Sequence, residues 1–75
     1  MDLFSPSRPV IFSTQTQGKV EQTITHNHPG RIECFGSFWP AQLYQKDPTI
    51  TLLPGQSAKV VGRQGITLLV VPEPD

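Results

Sequence analysis

Apolar residues along this chain come in short runs, each closed by a turn signal. GKVEQTIT (18–25) is rich in β-branched residues and stops at His-Asn-His-Pro-Gly. RIECF (31–35) and SFWPAQLY (37–44) meet across Gly36. KDPT (46–49) and LPGQ (53–56) are turn-like, with the short apolar segment ITLL (50–53) between them. SAKVVGR (57–63) and ITLLVV (66–71) flank Gln64-Gly65. Short strands bounded by Gly and Pro at this spacing predict five strands in a barrel or sandwich. No segment places Glu, Lys, Ala and Leu at helical spacing, so little or no α-helix is expected.

Alternation assigns faces. Side chains alternate along a strand, and residues opposed across an antiparallel hairpin share a face. A turn at Gly36-Ser37 opposes Cys34 to Trp39, whereas a turn at Phe35-Gly36 opposes Ile32 to Trp39. Both registers place Ile32, Cys34, Trp39, Ala41 and Leu43 on one face, the apolar one, and Glu33, Phe38, Pro40 and Gln42 on the other. Pro40 lacks an N–H, so it belongs at a bulge or a gap in a ladder. Val60, Val61 and ITLLVV are apolar on both faces, as expected of strands that are central or covered on both sides.

The ends read differently. Residues 1–17, MDLFSPSRPVIFSTQTQ, are rich in Ser, Thr, Gln and Pro, and their apolar residues keep neither a period of 2 nor one of 3.6. They are expected to form a flexible N-terminal arm, in which VIFS would add at most a short edge strand. The ordered domain is expected over 18–72, with 73–75 a tail, because the prolines of VPEPD stop any ladder.

Composition narrows the class. Seventy-five residues make one small domain, and six Gly and eight Pro suit a turn-rich β structure. Six acidic and six basic residues cancel, so no long-range field draws nucleic acid or anionic lipid. The single Cys excludes an intramolecular disulfide and a four-Cys metal site. No apolar run approaches the about 20 residues that span a bilayer, and no secretory h-region follows Met1. A soluble chain that does not itself insert into a membrane is the expectation.

The stretches GRIECFGSFWPAQ, LLPGQSAKVV and RQGITLLVVP occur in an order that resembles the C-terminal soluble domain of the NfeD family. That domain shows Gly with alternating apolar residues, a Gly turn, Trp-x-Ala, a Gly-containing loop with Val-x-Val, and a closing Gly-Leu-Thr-Leu-x-Val type strand. The match runs from about Gly18 to Pro72. The resemblance implies a compact five-stranded OB-fold barrel, without the helix many OB folds insert between strands three and four. It also implies a stomatin- or flotillin-like membrane protein as partner. Its cytoplasmic location, at the cytosolic face of a membrane in longer anchored relatives, is implied likewise. The serine protease domain of long members has no counterpart in this sequence.

The chemistry-bearing residues are sparse. His26, His28 and Cys34 are near one another in sequence, but Glu21 and Glu33 complete no zinc-ligand spacing, so no metal or other cofactor is expected. Cys34 shares the apolar face with Trp39, where a thiol stays protonated and inert. The carboxylates are scattered, and a non-enzyme is expected. An OB fold suggests a rival function, binding of single-stranded nucleic acid, with Phe35, Phe38 and Tyr44 stacking on bases and Arg31, Lys59 and Arg63 reaching phosphates. Zero net charge and Glu33 between Arg31 and the phenylalanines oppose it. The favoured expectation is a protein-interaction module presenting Phe35, Phe38 and Pro40, with Arg31 and Arg63 as polar rim.

Overall fold

The computed structural model describes residues 8–74. Every regular element among them is a strand: β1 (Val10–Gln22), β2 (Ile24–Thr25), β3 (Gly30–Cys34), β4 (Ser37–Leu43), β5 (Thr51–Leu52), β6 (Ser57–Gln64) and β7 (Thr67–Pro72). Five of them close a barrel in the order β1-β3-β4-β7-β6, with β6 returning to β1, while β2 and β5 make a separate two-stranded sheet. Neighbours are antiparallel except β4 and β7, which run parallel. This is a small OB-fold-like barrel, all-β and without helix among the described residues.

Two tight hairpins set the registers. Between β3 and β4 the turn is Phe35-Gly36, with φ of 55° and 74°. Left-handed φ at both central residues marks the turn whose twist matches paired strands. It selects the register in which Ile32 faces Trp39 and Cys34 faces Ser37. Between β6 and β7 the turn is Gly65-Ile66, and only Gly65, the first central residue, has positive φ.

The barrel interior is filled by Val20, Ile32, Cys34, Ala41, Leu43, Ala58, Val60, Leu68 and Val70. Ile24 and Leu52 are opposed across β2 and β5 and add their buried side chains to the same core. ITLL is thus a two-residue strand with a structural duty. Trp39, expected inside, is half-buried: it packs against the core, and its indole N–H donates to the Cys34 carbonyl at 3.0 Å. The polar edge of an indole needs such a partner when the ring is covered.

The doubly apolar strands also find their place. β7 lies between β4 and β6. Leu68 and Val70 point inward, while Leu69, of opposite parity, is buried as well. Gln42 on β4 donates to Gln64 on β6 at 3.3 Å, joining the two strands that flank β7. A register shift at Val61 opposes Val60 to Val70 and then Gly62 to Leu69.

At the N-terminus the structure departs from expectation. Residues 10–17, expected within a flexible arm, are the first part of β1, with Val10, Ile11, Thr16 and Gln17 opposite Arg63, Gly62, Val60 and Lys59 of β6. Phe12 packs against the core. The register jumps between Ile11 and Thr16, and such an irregularity breaks the period-2 pattern by which a strand is read from sequence. Residues 1–7 of the expected arm, and Asp75 of the expected tail, lie outside the described residues.

Candidate interaction face

The turn at Phe35-Gly36 decides what β3 and β4 show to solvent. Counting back from it, Glu33 faces Phe38 and Arg31 faces Pro40. Ile32, Cys34, Ala41 and Leu43 go into the core, so Arg31, Glu33, Phe38 and Pro40 lie on the outer surface. β1 extends this surface, because Lys19 faces Glu33. The outer face of β1, β3 and β4 therefore carries the row Lys19–Glu33–Phe38. A second row holds Glu21, Arg31 and Pro40, with Arg31 Nε 3.6 Å from a Glu21 carboxylate oxygen. Both partners of that ion pair are substantially exposed, and such surface pairs contribute little stability.

On this face lies a cleft of about 250 Å³ lined by Lys19, Val20, Glu21, Glu33 and Phe38. Phe38 is 54% exposed and Phe35, at the hairpin tip, 58%. Two-residue hairpins close on a hydrogen-bonded pair and alternate from there. Cys34–Ser37 and Ile32–Trp39 are then hydrogen-bonded pairs, and Glu33–Phe38 and Arg31–Pro40 are not. Position 40 thus directs its missing N–H away from β3, toward β7. On that side the β4–β7 ladder covers only Ala41–Leu43 against Leu68–Val70. Pro40 stands where the ladder ends, in the kind of gap its chemistry requires.

Of the five residues expected to bind a partner, the register brings Arg31, Phe38 and Pro40 onto one face and sets Phe35 at its edge. Arg63 is not brought to them. It lies on β6, opposite Leu68 and Val10, with β7 between it and β4. Its guanidinium Nη1 donates to the Gly65 carbonyl at 3.1 Å and so closes on the β6–β7 turn. The cleft's other wall, Lys19 and Glu21, escaped sequence reasoning. Alternation along 18–22 marks both as outward, but only the pairing of β1 with β3 puts them beside Phe38.

The residues considered for chemistry are dispersed. Cys34 is buried on the inner side of β3, its thiol 3.8 Å from the Gln17 carbonyl oxygen. Desolvation by burial raises its pKa, a backbone hydrogen bond at Phe35 acting the other way. His26 and His28 are in the turn after β2, where Thr25 and His28 bridge. Among the described residues no three of His, Cys, Asp and Glu form a group that would hold a metal ion. Asp47 has its pKa lowered, chiefly by the Thr49 hydroxyl, which donates to Oδ1 at 2.6 Å, with the Thr49 amide at 2.9 Å. That pairing builds a local turn. No helix among the described residues is long and apolar enough to cross a membrane.

Solved structures share this barrel. The soluble domain of a membrane protein implicated in regulation of membrane protease activity, from Corynebacterium glutamicum, superposes with a TM-score of 0.67 at 29% identity, covering 77% of this chain and 87% of that one. The C-terminal domain of stomatin operon partner protein 1510-C from Pyrococcus horikoshii superposes with a TM-score of 0.65 at 29% identity, covering 79% and 84%. No protein-family model and no curated protein sequence matches the chain.

Proposed function

We propose that this chain, which resembles the NfeD-type C-terminal domain in motif order and in fold alike, is a non-catalytic protein-interaction module acting beside a membrane protein. It would assist membrane-protein assembly or quality control, with a stomatin- or flotillin-like protein as partner, at the cytosolic face of the membrane. The observation that carries the reading is the outer face of β1, β3 and β4, where Phe38 and Phe35 stand more than half exposed beside a cleft. A large aromatic on a sheet face gains nothing from water, and it gains most when a second protein covers it. Both neighbouring structures support a membrane-associated role, since one is named for a stomatin operon partner and the other for regulation of membrane protease activity.

The OB-like barrel also suggests single-stranded nucleic acid as ligand, and the charges around Phe38 oppose it. Glu21 and Glu33 line the same cleft beside one cation, Lys19, so a phosphate backbone passing a stacked base would find no basic track there. Affinity capture from detergent-solubilised membranes of the source cells, with wild-type chain and Phe38→Ser side by side, tests the reading. Recovery of a stomatin- or flotillin-like protein by the wild type alone is expected. Recovery of nucleic acid with the same dependence on Phe38, or equal recovery of the protein by both chains, overturns it.

A further inference from the structure

We infer that the Phe38 cleft takes the guanidinium of an arginine presented by the protein partner. The inference rests on reading this face as the partner-binding surface and adds the chemistry of what docks there. Size comes first. At about 250 Å³ the cleft has room for one long side chain. Charge comes next. Its ionisable lining is Lys19, Glu21 and Glu33, and Glu21 already faces Arg31. Glu33 holds no ion pair among the described residues.

Geometry then selects the cation. Glu33 and Phe38 are a non-hydrogen-bonded cross-strand pair, the kind in which side chains approach most closely. A carboxylate and a half-exposed aromatic ring are thus offered at directly opposed positions. A planar guanidinium stacks on such a ring while donating two N–H bonds to the carboxylate, and a compact ammonium does not do both as well. Lys19, on the other side of Glu33, reduces the negative charge, so selectivity rests on the ring and the fork and not on net charge. An acidic side chain or a phosphate offers no N–H fork to the Glu33 carboxylate and no cation to the ring.

The test is an amide-resolved NMR titration of the full 75-residue chain with N-acetyl-arginine amide, and separately with the citrulline counterpart, which keeps the shape and loses the charge. Saturating shifts at Lys19, Glu21, Glu33 and Phe38 with the arginine compound are expected. Binding of the citrulline compound is expected to be at least about fivefold weaker, as is binding of the arginine compound to Glu33→Gln, consistent with loss of one charge-assisted hydrogen bond at a partly exposed site. Unmoved amides, or equal shifts from both compounds, overturn the inference. The capture experiment separates the two levels. Loss of the partner with Phe38→Ser but full retention with Glu33→Gln refutes the arginine and leaves the face standing. Retention with both refutes the face itself.

Discussion

Replacing Gly62 with alanine inserts one methyl group into the seam between β6 and the N-terminal part of β1. Gly62 is buried and faces Ile11 in register. A Cβ at this position falls well inside van der Waals contact with the Val10 carbonyl oxygen and lies 3.1 Å from the Ile11 Cα and Cδ1. The nearest obstacle is backbone, so no rotamer change relieves it; β1 must move. Overpacking of this kind costs about 1–3 kcal/mol. Alanine also narrows the unfolded ensemble, which returns about 0.4–1 kcal/mol where the backbone is compatible. Gly62 is not among the residues of positive φ, so that offset applies, and a net loss of about 1–2 kcal/mol is expected. For a domain of this size each kcal/mol moves Tm by about 4–8 °C, giving a drop on the order of 10 °C. Urea titration and thermal melting measure the loss, and amide exchange across 10–17 should accelerate in the variant. A Tm within about 2 °C of wild type, on a scale where 1 kcal/mol moves it by at least 4 °C, would contradict the β1–β6 seam. It would mean that Val10–Gln17 does not pack on β6 in solution and is the arm its composition suggests.

Three further outcomes are expected. Ile32→Ala empties a fully buried position in the barrel centre, so urea denaturation should show a loss of about 2–5 kcal/mol, a large share of the stability of any small domain. Phe35→Asn should raise the urea midpoint by the equivalent of about 1 kcal/mol, because Phe35 sits at φ 55°, where a bulky side chain is strained and Asn-Gly is the favoured pair; the same variant should weaken partner capture. Cys34, buried with its pKa raised, should react with a thiol reagent at pH 8 far more slowly in the native chain than in urea. Because the folded pKa lies above the unfolded one, this thiol's contribution to stability is complete below the unfolded pKa and is lost as pH rises through the folded value. Urea midpoints measured into the alkaline range should therefore decline.

Much of the fold was legible because it depends on neighbours in sequence. The strands at 31–35, 37–44, 57–63 and 66–71 announce themselves by composition and by Gly at the turns. The β3–β4 hairpin closes over two residues, so alternation alone sorted Ile32, Cys34, Ala41 and Leu43 from Glu33, Phe38 and Pro40. What stayed hidden was the first half of β1. Its register jump between Ile11 and Thr16 destroys the alternation, and Ser, Thr and Gln on an exposed strand resemble those of a loop. The candidate site was legible to the same extent. Phe35, Phe38, Pro40 and Arg31 follow from the hairpin, whereas Arg63 was grouped with them by charge without knowledge of which strands lie between.

The class of the protein, the places where the chain turns, and the side of the β3–β4 hairpin that meets water could all be read from the chain alone. Those are local matters, governed by turn-forming residues and by the two-residue repeat of a strand, which holds for a turn at Phe35-Gly36 and at Gly36-Ser37 alike; the folded hairpin takes the first. The folded barrel was needed to show that β1 runs from Val10, that β7 lies between β4 and β6, and that Lys19 and Glu21 complete a cleft at Phe38. These depend on pairings between segments far apart in the chain. A strand's own residues state that it wants neighbours, and closure of the barrel around one shared core decides which neighbours it gets.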